Sequence, residues 1–336
     1  MIKQLLNHQK NLCEIKFIDL FAGIGGLRIP FEKLGGECVF SCEIDPFCQQ
    51  TYQANFNETP FKDIRLLDIN SLPKFELLLA GFPCQPFSIS GHKKGLSDER
   101  GNLFFEILRI LEYHQPQAFL LENVKGLTHH NNQETLNIII SSLESIGYQV
   151  SYQTLNARDF GLPQNRERIF IIGSKSPFNF PNPPKNTTKL GDILEKKVDK
   201  KYTLTSHLWN YLQERKKNQR KKGNGFGCSL FTPNSPYTST LSARYYKDGS
   251  EILIKENEAN ILPRRLTPRE CARLQGFSDN FQIVVSDNQA YRQFGNSVAL
   301  PVIEALAKEI IQQCFYSKQI PLHSFVKNTL KNDLQQ

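Results

Sequence analysis

No apolar run in this 336-residue sequence approaches the roughly 20 residues needed to cross a membrane. Met1–Leu6 lacks the apolar core and small-residue cleavage site of an export signal, so a cytoplasmic protein with no membrane partner is expected. Paired CxxC spacing is also missing. The eight cysteines, at positions 13, 38, 42, 48, 84, 228, 271 and 314, have no matching histidine cluster, which argues against structural zinc and leaves no metal to expect. Without an export signal, reduced thiols are the default, and most of the eight read as small buried hydrophobes. No internal repeat stands out, and the Lys/Arg/Gln stretch at 213–222 is the only compositionally biased segment.

Charge is concentrated in one place. The whole chain carries +8, and residues 185–222 alone hold twelve Lys/Arg against four Asp/Glu, again +8, so the remainder is near neutral. A localised basic segment suits a polyanion partner, although the same run also suits a solvated surface face. Apolar content of 39% over this length supports an ample core in one large domain or two unequal lobes.

Strand and helix signals alternate through the first half. Ile15–Phe21 reads as a buried strand that stops at Ala22-Gly23-Ile24-Gly25-Gly26. A helix over 27–34 follows, closed by Gly35-Gly36, then a strand over 37–43 ending on Glu43. The pattern continues as helix 45–55, strand 75–80, helix 101–114, strand 118–121, helix 133–146, strand 148–155 and strand 170–173. This predicts an α/β protein with a doubly wound, mostly parallel sheet. After Ser174 the alternation gives way to Pro-Asn-Pro-Pro, the basic stretch and a Gly/Ser/Thr/Tyr-rich segment over 223–250, which predicts a smaller, irregular lobe. Regular structure returns at Thr267-Pro268-Arg269-Glu270, a helix start with a Thr cap, Pro at the first position and Glu at the third. A final helix is expected over about 297–314, and the last dozen or so residues read as a frayed end.

Two places carry chemistry. The first is the glycine-rich turn after the first strand, with Glu43 ending the second strand twenty residues beyond Gly23. Such glycines let backbone approach a ligand, and an acid in that place can bridge ribose hydroxyls, although a tight structural turn would look the same. A dinucleotide GxGxxG would need glycine at position 28, where Arg28 stands. A nucleoside without a pyrophosphate fits better than NAD. The second is Cys84. It follows the apolar run Phe75–Gly81 as Phe82-Pro83-Cys84-Gln85-Pro86-Phe87-Ser88, where a strand gives way to a Gly/Ser/Lys-rich loop. That is a poor place for core packing and a good one for a presented nucleophile.

Six segments, in order, carry a resemblance. They are Asp19–Gly26, Gly81–Ser88, Glu122-Asn123-Val124, Gln164-Asn165-Arg166-Glu167-Arg168, Arg265–Glu270 and Gln293–Val298. Together they resemble the motifs of the C5 cytosine methyltransferase family, from about residue 15 to about residue 310. The unmatched stretch, 175–262, falls where that family keeps its variable target-recognition region. The resemblance implies an S-adenosylmethionine-dependent, Rossmann-like enzyme similar to the compact bacterial modification enzymes. It further implies a discontinuous catalytic domain (1–180 with 287–336) and a recognition domain with hinge (181–286).

The resemblance also assigns roles. Cys84 becomes the thiolate that adds to C6 of cytosine, making C5 nucleophilic, and Glu122 the acid near N3. Arg166 and Arg168, two residues apart and so on one face of an extended segment, would lie beside a flipped-out base and its phosphate, with Arg168 holding the cytosine carbonyl and Glu122. For the cofactor it implies Phe21, Gly23 and Gly25 at the methionine end, Glu43 at the ribose and Ile44 against the adenine. Asp63 or Asp68 would meet the adenine amino group, with Asp63 preferred for its distance before Gly81. Gly81, Leu103, Asn296, Ser297 and Val298 would complete the pocket.

Ser88, Lys93 and Lys94 lie in a glycine-punctuated loop suited to closing over DNA phosphates. Arg244 and Lys247, within Tyr237–Lys247, are candidate DNA readers beside Thr240-Leu241, the one pair that the family retains in its recognition region. The implied partner is double-stranded DNA, bound by a monomer that flips its target base. A cognate restriction endonuclease would share the recognition sequence without being a physical partner. A tRNA cytosine-C5 methyltransferase shares the motif set, and the long basic region favours duplex DNA over it. A catalytically dead DNA-binding module is disfavoured by the joint presence of Cys84, Glu122 and both arginines.

Overall fold

The structure, a computed structural model, describes residues 15–83, 103–184, 188–223, 227–256 and 262–316. Cys84, Ser88, Lys93 and Lys94 lie outside them.

Six strands form the main sheet: β1 (Lys16–Leu20), β2 (Glu37–Cys42), β3 (Leu77–Gly81), β4 (Ala118–Val124), β5 (Gln149–Asn156) and β6 (Glu167–Ser174), in spatial order β2-β1-β3-β4-β6-β5. The pairs β1/β2, β1/β3 and β3/β4 are parallel, and β6 runs antiparallel to both neighbours. Alternation had predicted a mostly parallel sheet, which holds. The reversal of β6 follows from connection length: only residues 157–166 separate it from β5, too few for a crossover of about a dozen residues. β4 also runs past residue 121, because Glu122, Asn123 and Val124 pair with Phe170, Ile169 and Arg168. Glu122 is therefore held inside the ladder.

Helices cover both faces. One face, carrying Phe17, Leu79, Leu120 and Ile172, packs against α1 (Arg28–Lys33) and the C-terminal helix described below. The other, carrying Ile18, Leu78, Phe119 and Ile171, packs against α3 (Leu103–His114) and α4 (Glu134–Ser145). The strict alternation of these residues along each strand is the period of two expected for a sheet buried on both sides. Between β2 and β3 lies α2 (Pro46–Phe56), capped by Asp45, whose carboxylate accepts the Phe47 and Cys48 amides, with Pro46 at its start.

A second core gathers Leu190, Tyr202, Leu241, Tyr245, Ile252, Ile254, Leu266, Cys271, Phe277, Tyr291 and Phe294. It includes a small sheet of β7 (Leu230–Phe231), β8 (Leu253–Ile254) and β9 (Arg264–Arg265). Two helices in this half had no counterpart in the sequence reading. α5 (Ser206–Lys221) covers most of the basic run and buries only Leu212 completely; so narrow an apolar stripe leaves little periodic signal. α7 (Asp287–Asn296) contributes Ala290, Tyr291 and Phe294 to the second core. After it, Val298 and the buried face of α8 (Leu300–Ile310) from Val302 onward belong to the first core, while Leu300 packs in the second. The chain thus crosses from one core to the other between Phe294 and Val298.

α6 (Pro268–Leu274) starts as predicted, with a reciprocal capping box between Thr267 and Glu270. Glu270 is fully buried and does more than cap. Its carboxylate takes two hydrogen bonds from Arg264, at 2.7 and 2.9 Å, and others from the amides of Thr267 and Glu195. Removing one partner of a buried pair costs far more than removing a surface charge, because the other remains desolvated. Glu270→Gln should therefore lower unfolding free energy by about 3 kcal/mol, measured by urea denaturation. A loss within the ~0.5 kcal/mol typical of surface substitutions would contradict this role.

Candidate active site

The order of strands places a switch point between β1 and β3: β1 leads to β2 on one side, and the chain then returns to β3 on the other. Ligands of open α/β sheets bind outside the carboxyl ends of the strands at such a point. Two of the predicted segments lie there, the glycine turn that leaves β1 and the residues that leave β3.

The turn needs its glycines. Gly23 and Gly25 have φ of +56° and +82°, and Phe21, which has a side chain, is also left-handed at +55°. A Cβ on Gly25 would stand 2.4 Å from the Phe56 ring, and one on Gly26 would stand 2.7 Å from Ser297 Oγ and 2.9 Å from Val298 Cγ2. Residues 297 and 298, almost 300 positions along the chain, thus lie directly against the first turn. Glu43 braces it: Oε2 accepts the Gly23 amide at 2.8 Å and Oε1 the Asp45 amide at 2.8 Å. Burial nonetheless raises the Glu43 pKa. Ile44 follows with its side chain 61% exposed, an apolar platform at the rim.

Backbone bonds between Glu43 N and Phe61 O, and between Phe61 N and Ser41 O, bring 61–63 alongside the end of β2. Asp63 is therefore beside the turn, where its carboxylate bonds Arg65 and is lowered in pKa by it. Asp68 caps the next turn and is exposed. Gly81 pairs with Glu122, and its hydrogen-bearing face lies 3.6 Å (from an added Cβ) from Glu122 Oε2. Leu103 opens α3, half-buried against the apolar layer of that face. Asn296 is exposed at the end of α7, Ser297 half-buried and Val298 buried.

Glu122 is 8% exposed, with Arg168 Nε 3.1 Å from Oε1. Burial raises its pKa, and the charges of Arg168 and, less strongly, Arg166 oppose the rise. Arg168 is depressed in turn, by burial first. The result is a carboxyl group able to carry a proton at higher pH than a free glutamate, beside a guanidinium that fixes its orientation. Asn123, the next residue, is buried and donates from Nδ2 to Phe82 O at 3.0 Å. It ties the chain leaving β3, two residues before Cys84, to the strand that bears Glu122.

Arg166 is turned to the protein's own backbone. It is only 2% exposed, and its guanidinium donates to three backbone carbonyls: Leu241 O at 3.0 Å from Nη1, and Gly295 O and Ser297 O from Nη2. Among the described residues its Nε has no hydrogen-bond partner and no carboxylate pairs with it. Arg244 and Lys247 are exposed on the turn that follows Leu241.

Several contributors lie in the motif segments but were given no role of their own by the sequence. Asp19, inside β1, is completely buried with neither carboxylate oxygen bonded to a described residue, and desolvation raises its pKa well above normal. Nothing separates it from a strand-end aspartate until its surroundings are known. Gln164 and Gln293 are likewise buried and bonded across the molecule, Gln293 holding Thr51 and Phe47 O of α2. Among the described residues no group of three or more His, Cys, Asp or Glu is placed to hold a metal, and no helix is long and apolar enough to cross a membrane.

A family model described as C-5 cytosine-specific DNA methylase matches residues 15–312. The type II methyltransferase M.DsaV of Dactylococcopsis salina is 57% identical over 312 residues, covering 91% of this chain and 88% of that protein. M.NlaX of Neisseria lactamica, also named a type II methyltransferase, is 55% identical over 301 residues, covering 88% and 96%. Among solved structures, the S. pombe Dnmt2 methyltransferase aligns with a TM-score of 0.73 at 20% identity over 89% of this chain and 99% of that one. A putative DNA modification methyltransferase encoded in an E. coli prophage aligns at 0.67 and 22%, over 89% and 99%. At these identities the structures bear on fold alone.

Arg168 supplies the larger of the two charges that oppose protonation of Glu122. Arg168→Gln should therefore move the Glu122 titration to higher pH, as read by carbon-13 NMR of the side-chain carboxyl. A midpoint that stays put or falls would contradict the pairing.

Proposed function

The chain belongs to the C-5 cytosine-specific DNA methylase family, and from that premise we propose that it methylates one cytosine within a short double-stranded DNA sequence by a covalent route with the base flipped out of the helix. That it is a DNA cytosine-C5 methyltransferase follows from the family match over residues 15–312 together with relatives above 50% identity. The observation that carries the finer reading is the pairing of Gly81 with Glu122. It sets a buried, Arg168-paired carboxyl beside the strand whose continuation, three residues on, is Cys84.

S-adenosylmethionine fits the switch point. Gly23 leaves its backbone open to close approach, Glu43 faces the turn, and Ile44 offers an apolar surface for a purine. Phe21, Asp63, Gly81, Leu103, Asn296, Ser297 and Val298 complete the proposed pocket. When bound, this cofactor supplies an electrophilic methyl group on a sulfonium.

The protein's own part begins with the Cys84 thiolate, which forms a bond to C6 of cytosine. The electron pair displaced from the C5–C6 bond makes C5 nucleophilic and is delocalised to N3. Glu122 delivers its proton there, in a site whose low dielectric strengthens the contact. Arg168 holds Glu122 and donates to the cytosine carbonyl. Once C5 bears the methyl group, the C5 proton leaves to ordered water, and the sulfur–C6 bond breaks as the N3 proton returns to Glu122, which restores the ring, the thiolate and the acid. Base flipping is required because C6 is inaccessible within a duplex.

We further propose that the enzyme works as a monomer of two lobes, with 1–180 and 287–336 forming the catalytic one, and that DNA lies between them against Ser88, Lys93, Lys94, Arg244 and Lys247. The names of the relatives support a role as the modification member of a type II restriction system; absence of any nuclease gene beside its own would count against that. The basic run and those relatives favour DNA over tRNA.

A duplex with 5-fluorocytosine at the target cannot release the C5 substituent, so it should trap a denaturant-stable protein–DNA adduct. The adduct should vanish in Cys84→Ala. Glu122→Gln should retain DNA binding while slowing methyl transfer by about 10²–10⁴-fold, the usual worth of general acid catalysis. An adduct that persists in Cys84→Ala would overturn the covalent assignment.

A further inference from the structure

Gln164-Asn165-Arg166 grips the segment 238–241 through four hydrogen bonds. Asn165 N donates to Thr238 O, and Thr240 Oγ1 donates to Asn165 O at 2.6 Å. Leu241 is held on both sides of its own residue: its amide donates to Gln164 Oε1 at 2.9 Å, and its carbonyl accepts from Arg166 Nη1 at 3.0 Å. The same two side chains also hold the crossing between the two cores. Arg166 Nη2 donates to Gly295 O and Ser297 O. Gln164 Nε2 donates to Gln275 Oε1, and Gln275 Nε2 donates to Phe294 O at 2.7 Å. Gly295 has no room for a Cβ, which would stand 2.3 Å from Ser242 O, so 242–243 lie directly on the end of α7.

A guanidinium kept from water without a carboxylate partner is costly, and it persists only where several acceptors converge. The three acceptors here come from two segments far apart in the chain: Leu241 beside the candidate DNA readers, and Gly295 with Ser297 on either side of Asn296. We propose that Arg166 is a positioning residue that sets the recognition segment, through Leu241, against the cofactor-side segment 295–297, and that it thereby couples DNA binding to cofactor binding without touching the target base. Coupling of this kind is a two-site free energy and must act equally in both directions. Closing the cofactor side around a ligand fixes Gly295 and Ser297. Through Arg166 it also fixes Leu241 and, beside it, Thr240 and Arg244. Arg168 is the contrast: two residues on, it pairs with Glu122, and its proposed contact is the base itself.

This inference rests on the methyltransferase reading, which the native enzyme tests first by transferring label to its mapped duplex. The further test is fluorescence anisotropy of the full chain on that duplex and on the same duplex with an abasic site at the target. Each is titrated with and without saturating S-adenosylhomocysteine. The native protein should bind several-fold or more tightly with the cofactor product present, in the 5–150-fold range of ordinary couplings. Arg166→Gln should bring that factor close to one, and its loss of affinity should be the same on both duplexes. Arg168→Gln should keep the factor, and its penalty should disappear on the abasic duplex. Arg166→Lys, which keeps the charge and can reach one carbonyl at a time, should give an intermediate factor, and it serves as the test if the glutamine variant fails to fold. An Arg166 penalty that disappears at the abasic site would show contact with the base and overturn the proposal. A native factor near one, or a native factor retained in both Arg166 variants, would overturn it equally.

Discussion

Glu122 and the two guanidinium groups near it are withdrawn from water together, and most of the surrounding architecture follows from that constraint. Burial alone would drive the carboxyl to its neutral form; Arg168 at 3.1 Å and the more distant Arg166 pull against it. The balance leaves a group that can hold or yield a proton at the end of a rigid strand. Keeping it there requires β4 to continue its ladder with β6 through Val124, β3 to present a residue without a side chain opposite, and acceptors for the guanidinium groups of both arginines. Arg168 meets this need with Glu122 and its own neighbour's carbonyl; Arg166 meets it with backbone from two distant parts of the chain, leaving only Nε unbonded.

Those distant parts explain the unusual path of the C-terminal region. Phe294 belongs to the second core and Val298 to the first, so the few residues between them must bridge the two. They bridge them at the glycine turn, where Gly26 leaves space for Ser297 and Val298. One short segment is therefore shared by three tasks: joining the cores, packing against the glycine turn and anchoring Arg166. A change in any one is felt by the others, which gives the cleft a physical means of sensing both of its proposed ligands.

Much of this was legible before folding was considered. Period-two burial and uninterrupted apolar runs marked β1, β3 and β4, and Thr267-Pro268-Arg269-Glu270 announced its helix because capping is a local matter of a few side chains and amides. Glu122 and Cys84 stood out because each sits where an apolar run ends, and the order of the motifs supplied their chemistry. What stayed hidden depends on contacts far apart in sequence. Arg166 and Arg168 differ by two positions and look equivalent along a strand, yet one faces a carboxylate and the other a ring of carbonyls. Asp19 is one aspartate among many until its lack of partners is visible. The helix over 206–221 buries too narrow an apolar stripe to show itself, and the direction of β6 is set by the length of the loop before it.

The central claim is methyl transfer to C5 of a particular cytosine in duplex DNA, and it is tested most directly by incubating the protein with labelled S-adenosylmethionine and, separately, unmethylated duplex DNA and tRNA, followed by base-resolution mapping. The account predicts label on DNA at one cytosine of a recurring short sequence and none on tRNA. Label on tRNA alone would contradict the substrate while keeping the chemistry, and label on neither would contradict the activity itself.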